Sequence, residues 1–176
     1  MKLVLQYGAD FAYLYHDKDG MLITSITIDR NDCGLRKIAP YDDFQDADDA
    51  YERGDYKEAV RLYRLSVEQG HPTGQANLGK MYSEGQGVPQ DYKEAVRLYR
   101  LSAEQGDAIG QYNLGVMYYN GTGVPQDYVS AHMWWNTCGS RGKKNCAENK
   151  DIVEKEMSPS QITKAQEMAR NWKPKK

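Results

Sequence analysis

Along most of this chain the hydrophobic and polar positions keep a helical rhythm. Between Asp55 and Gly70 the residues Tyr56, Ala59, Leu62, Tyr63 and Ser66 recur at helical spacing, and between Asp91 and Gly106 so do Tyr92, Ala95, Leu98, Tyr99 and Ser102. Such spacing gathers side chains on one side of a 3.6-residue helix. Asp55 and Asp91 stand at N-cap positions, with Glu58 and Glu94 three residues on in the manner of a capping box. Gly70 and Gly106 stand where glycine ends a helix. A second helix is predicted over residues 72–84 and again over 108–120, where Gly74, Leu78, Tyr82 and Gly110, Leu114, Tyr118 are spaced by four. Both run into Gly-x-Gly-Val-Pro, whose glycines permit left-handed backbone angles and whose proline holds the valine extended.

These two helix pairs are nearly one sequence written twice. Residues 55–90 laid over 91–126 match at 27 of 36 positions without a gap. One antiparallel pair cannot hide its own apolar stripe, whereas stacked copies cover one another. A degraded third unit begins at Asp127 and Tyr128 and runs through Ala131, Trp134 and Trp135 to Gly142, and residues 44–54 read as the second helix of a preceding unit. Ser158-Pro159-Ser160-Gln161 reads as a helix start, followed by the single stripe Ile162, Ala165, Met168, Ala169 and Trp172, suited to sealing the open end of the stack. The first forty residues break the rhythm. Phe11–His16 and Met21–Ile28 are rich in β-formers around Asp17-Lys18-Asp19-Gly20, which predicts a hairpin. The expected organisation is an all-α solenoid of stacked antiparallel pairs over 41–157, a β-hairpin-like extension over 1–40, and a capping helix with a basic tail over 158–176.

Composition narrows the function classes. Hydrophobic residues make up 40% of 176 and charged residues 27%, and no apolar run approaches membrane-spanning length, so no membrane partner is expected. A net charge of −2 supplies no positive field for nucleic acid. The acidic stretch 41–58 and the terminal Lys173-Pro174-Lys175-Lys176 read as a solvated helix face and a frayed tail. The N-terminal apolar run stops after three residues, which predicts a cytoplasmic protein, with export by a route lacking a recognisable signal as the alternative. Three cysteines are too few and too odd for a disulfide framework. Asp17–Gly20 is too short for an EF-hand loop. There is no Gly-x-Ser-x-Gly, no His-Glu-x-x-His and no P-loop. Ser140-Arg141-Gly142-Lys143 matches Ser-x-x-Lys without the companion motifs of penicillin-recognising enzymes, and His16, His71 and His132 lie in unrelated contexts. The chain therefore reads as non-enzymatic, without cofactor or metal.

The segment Gly110-Gln111-Tyr112-Asn113-Leu114-Gly115-Val116-Met117-Tyr118-Tyr119-Asn120-Gly121-Thr122-Gly123-Val124-Pro125-Gln126-Asp127 closely resembles the Sel-one-like repeat, a relative of the tetratricopeptide repeat. The resemblance spans about residues 44–172, and residues 151–172 look like the terminal segment of bacterial members. It implies a right-handed superhelix used mainly as a scaffold for protein–protein contacts, with no catalytic motif. Some cysteine-rich bacterial relatives are linked to β-lactam binding, which supplies the alternative reading of a cell-wall-related enzyme or β-lactam-binding protein. Those relatives bridge adjacent helices through cysteines eight positions apart, the spacing of Cys138 and Cys146 here. The pair sits at the places of Ser102 and Gly110 in the preceding copy, where a bridge fits. In a cytosolic chain a reduced pair is expected first and the bridge second. A zinc site from these thiols and His132 is one ligand short.

The copies differ at nine positions, eight of them outside the first helix. In the second helix Thr73, Ala76, Lys80 and Ser83 become Ile109, Tyr112, Val116 and Tyr119, and Glu84 becomes Asn120. Steps of three and four place them on one stripe about 180° from Leu78 and Leu114. In tetratricopeptide-like solenoids this helix lines the concave surface, so the resemblance makes the stripe a groove for a protein or peptide partner. Drift at unconstrained positions is the competing explanation. Lys57, Arg61, Arg64 and Lys93, Arg97, Arg100 form a basic ladder, with Glu68 and Glu104 placed to pair with Arg64 and Arg100.

Overall fold

The structure is a computed structural model that describes residues 3–7, 10–16, 22–23 and 43–175. The chain divides into two compact units, residues 1–42 and 43–176. In the first, strands β1 (Leu3–Tyr7), β2 (Asp10–His16) and β3 (Leu22–Ile23) form an antiparallel sheet in the order β1-β2-β3. Tyr15 pairs with Ile23 and His16 with Leu22, and β1, which was not expected, pairs Leu3 with Leu14 through Tyr7 with Asp10. The predicted turn Asp17–Gly20 and the strand residues beyond Ile23 lie outside the described residues.

The second unit contains eight helices: α1 (Asp43–Glu52), α2 (Tyr56–Glu68), α3 (Pro72–Glu84), α4 (Tyr92–Glu104), α5 (Ala108–Asn120), α6 (Tyr128–Gly139), α7 (Lys144–Glu154) and α8 (Pro159–Asn171). Each packs on the next as far as α7, while α8 turns back onto α6. This is the all-α solenoid that the 36-residue period predicts. The core runs as three clusters. The first joins Ala47 and Ala50 to Leu62, Tyr63, Leu78 and Met81, the second joins Val96 and Tyr99 to Leu114 and Trp134, and the third joins Trp135 to Val153, Met157 and Ala165.

Within each unit the two helices cross where a small residue faces another eight positions away. A Cβ at Gly74 would lie 2.9 Å from Ser66 Cβ, and one at Gly110 would lie 2.6 Å from Ser102 Cβ, so glycine lets the helices close up. In the third unit Cys138 and Cys146 occupy the same crossing, 5.8 Å apart at Cα, and are joined by a disulfide. That Cα separation falls in the usual range for a bridge. The structure thus carries the bridge, the second of the two states expected from the sequence, rather than the reduced pair expected first.

The helix starts follow the sequence, with one change. Asp55 accepts from the Glu58 amide and Asp91 from the amides of Lys93 and Glu94. Glu58 and Glu94 do not close the box. They pair instead with Arg61 and Arg97, each at 2.7 Å. Among the described residues the box is complete at α8 alone, between Ser158 and Gln161. The basic ladder is also paired differently from expectation. Arg64 donates to the Tyr82 hydroxyl at 3.0 Å and Arg100 to the Tyr118 hydroxyl at 2.8 Å.

Glu104 is occupied by the C-terminal tail, which is tied down where a frayed end was expected. The Lys175 amide donates to the Glu104 carbonyl at 2.7 Å, and its Nζ meets the Glu104 carboxylate at 2.7 Å. Arg141 donates to the Gly106 carbonyl at 2.8 Å and lies 5.3 Å from the Trp172 ring centre, and Trp172 meets Trp134 edge-on at 6.0 Å. The physical reason is local. The last carbonyls of α4 lack helical partners, and the negative end of the helix dipole attracts cations.

Candidate functional site

The divergent stripe lies on α3 and α5, and the structure gives its members unequal exposure. On α3, Thr73 is half-buried and donates to Asp107 Oδ2 at 3.1 Å. Ser83, also half-buried, shares a hydrogen bond with the Tyr99 hydroxyl at 3.2 Å. Ala76 is 0% exposed and offers nothing to a partner, contrary to its assignment to the groove. On α5, Ile109 projects with 44% of its surface exposed. Tyr112, Val116 and Tyr119 are half-buried against the third core cluster, and Tyr119 lies between Tyr128 and Trp135 at 5.5 and 5.7 Å. Trp135 Nε1 donates to the Tyr112 carbonyl at 3.1 Å. The strip is thus narrower than a fully open face, because α6 packs along one flank of α5.

Two depressions border this stripe. One, of about 350 Å³, is lined by Ile109, Tyr112 and Asn113 of α5 with Cys138, Lys143 and Asn145. The other, of about 200 Å³, is lined by Asp48, Tyr51, Glu52, Tyr63, Asn77 and Lys80, where α1, α2 and α3 meet. Its polar groups are organised. The Tyr63 hydroxyl donates to Asp48 Oδ1, and Asn77 Nδ2 donates to the same oxygen at 3.0 Å and to the Tyr63 oxygen at 3.2 Å. Burial, reinforced by the Asp48 carboxylate, raises the Tyr63 pKa well above the ordinary phenol value. Lys80 donates to the Tyr51 hydroxyl at 2.9 Å and lies 4.9 Å from that ring's centre. The hydrogen bond to Tyr51 raises the Lys80 pKa, with Glu84 adding to it.

Of this polar set only Lys80 was anticipated. Divergence between the copies does not mark Asp48, Tyr63 and Asn77, since Tyr63 and Asn77 recur unchanged as Tyr99 and Asn113. The available signal was the acidic residue at the same offset in the preceding helix, Asp48 ahead of Tyr63 and Glu84 ahead of Tyr99.

Elsewhere, His132 is fully buried and its Nε2 meets Glu154 Oε1 at 2.7 Å. Ser140 Oγ donates to the Thr137 carbonyl at 2.8 Å. Among the described residues no group of three or more His, Cys, Asp or Glu could hold a metal ion, and no helix is long and apolar enough to cross a membrane. The two depressions supply carboxylates, amide and ammonium donors and aromatic walls.

Stacked pairs of this length, with a lid helix at one end, define an α-helical repeat solenoid. Residues 47–71, 72–107 and 108–137, more than half of the chain, match the Sel1 repeat, and the chain belongs to that family. Sel1 repeats are typically protein-interaction scaffolds. Among solved structures it is similar to a protective antigen of uropathogenic Escherichia coli displaying an SLR fold. The two are 30% identical with a TM-score of 0.71, over 74% of this chain and 29% of the antigen. It is also similar to a Sel1 repeat protein from Oxalobacter formigenes, 32% identical with a TM-score of 0.57, over 62% of this chain and 86% of that one. A segment of 55 residues is 38% identical to an exopolysaccharide production negative regulator of Rhizobium leguminosarum bv. viciae, covering 31% of this chain and 21% of the regulator. The chain thus spans about a fifth of that relative and less than a third of the antigen.

Proposed function

We propose that this chain is a non-enzymatic scaffold that holds a partner protein or peptide along the α3–α5 stripe. The observation that supports the reading best is Ile109. A large aliphatic side chain stands exposed beside Tyr112, at the edge of a depression, in a family of interaction repeats. Apolar and aromatic residues beside pockets are the anchors from which interfaces draw most of their energy. Lys80, Ser83 and Thr73 extend the surface in the first copy with polar contacts, and Val116 and Tyr119 serve as its supporting wall.

Affinity capture from the native cell with mass spectrometry identifies the partner, whose Kd is then compared across variants. Ile109→Glu keeps the fold, since the side chain is exposed, and is expected to weaken partner binding at least about tenfold. Tyr112→Ala with Tyr119→Ala should do the same at some cost in stability. Unchanged affinity in Ile109→Glu and in the double variant would remove the groove.

A second reading, a cell-wall-related enzyme or β-lactam-binding protein, draws support from the Cys138–Cys146 bridge alone. Hydrolysis or covalent retention of a chromogenic β-lactam would establish it. The scaffold reading expects neither.

A further inference from the structure

The smaller depression has a chemistry of its own. Asp48 is held by two donors on Oδ1, the Tyr63 hydroxyl and Asn77 Nδ2, while its Oδ2 accepts from no described residue. An oriented carboxylate with one oxygen left to water thus lines a cavity of about 200 Å³, flanked by Tyr51 and Tyr63 and by the exposed Glu52. The lining holds two carboxylates against one ammonium. That ammonium, Lys80, is already engaged by the hydroxyl and ring of Tyr51, so the aromatic wall accommodates a positive charge.

We propose that this depression receives a cationic side chain, arginine or lysine, of the peptide bound along the stripe. The inference rests on the scaffold reading. An anionic side chain entering there would face Asp48 and Glu52, and an apolar one would strip water from Asp48 Oδ2 without replacing the lost hydrogen bond. A guanidinium or ammonium satisfies that oxygen by a charge-assisted bond while lying on the tyrosine faces. The volume suits one long side chain rather than a folded element.

The second copy shows that the arrangement is not generic to the repeat. Tyr99 and Asn113 match Tyr63 and Asn77, yet the Tyr99 hydroxyl bonds Ser83 Oγ, and the acidic residue at the offset of Asp48, Glu84, is exposed. Of the two tyrosines, Tyr63 alone holds a carboxylate drawn inward from the preceding helix.

The test is a ¹H–¹⁵N NMR titration of the full chain with acetyl-arginine-methylamide, set against acetyl-citrulline-methylamide, its neutral near-isostere. The signals read are the Asn77 side-chain amide and the backbone amides of Tyr51 and Lys80. Saturable shifts with Kd in the range of about 1–10 mM are expected for the arginine probe, and binding at least about tenfold weaker for citrulline. Asp48→Asn should weaken the arginine probe about tenfold, whereas Asp49→Asn, which removes the same charge outside the lining, should change it less than about twofold. Should Asp48→Asn fail to fold, Glu52→Gln on the exposed rim carries the test, with a loss of about threefold. Equal binding of citrulline, absence of saturable shifts, or equal losses in the Asp48 and Asp49 variants would overturn the proposal. Tighter binding of spermidine at the same signals would make this a free-polyamine pocket and also overturn it. None of these outcomes depends on Ile109 or Tyr112, so failure here leaves the scaffold reading to be judged by partner affinity.

Discussion

Residues 55–90 and 91–126 are almost the same sequence, yet their polar surroundings differ in kind. Tyr63 holds a carboxylate and Tyr99 holds a serine hydroxyl, although the two tyrosines occupy the same place in their copies. Gly79 is packed against the ring of Tyr99 and its counterpart Gly115 against the indole of Trp135. In a stacked solenoid a residue's surroundings come from the next unit as much as from its own. Identical residues therefore acquire different work according to what precedes or follows them.

The comparison can be pressed hardest at the paired glycines. A Cβ at Gly115 would lie 2.7 Å from Trp135 Cδ1 and 2.8 Å from Cε2, whereas one at Gly79 would lie 2.9 Å from Tyr99 Cε1. Gly115→Ala is expected to lower unfolding free energy in urea by about 2–3 kcal/mol, since the new methyl overlaps the indole more deeply, and Gly79→Ala by about 1 kcal/mol, since the shallower overlap with Tyr99 is partly offset by alanine's helix propensity. Equal losses would mean that the flanking aromatic does not decide the outcome.

A smaller contrast is expected at the tyrosines. Tyr63→Phe removes a bond to a carboxylate and should cost about 2 kcal/mol, and Tyr99→Phe removes a neutral bond and should cost about 1 kcal/mol. Thermal and urea unfolding of the pair would show whether the carboxylate matters.

The same tyrosines also set a response to alkali. Burial pushes the Tyr99 pKa up to about 12 and raises that of Tyr63 as well. The unfolded chain loses these phenolic protons first, near pH ~10, so stability is whole below that pH and falls as pH rises toward the folded values. The slope per tyrosine is at most about 1.4 kcal/mol per pH unit. Denaturation curves at increasing pH should show it, and Tyr99→Phe should remove its share.

Periodicity and capping residues made the helices readable, and the eight-residue crossings made the close contacts readable, because both depend on spacing within one unit. The partners of polar side chains were less legible. Arg64 and Arg100 reach tyrosines 18 positions away rather than Glu68 and Glu104, and Lys175 returns 71 positions to Glu104. Such pairings depend on how far side chains extend across the stack, which a helical pattern does not encode. Ala76 was misplaced for a related reason. Its divergence from Tyr112 suggested an exposed position, but a methyl group at that point is covered completely.

The matching 36-residue step has an outcome for inheritance. A further copy of residues 91–126, spliced between Gln126 and Asp127, would meet the residue types already found at both existing joins. Unequal recombination within the gene could thus lengthen or shorten the platform by whole units while the lid helix α8 kept its seat on α6. Solenoid length is then a trait that selection can set in increments, without refashioning either terminus.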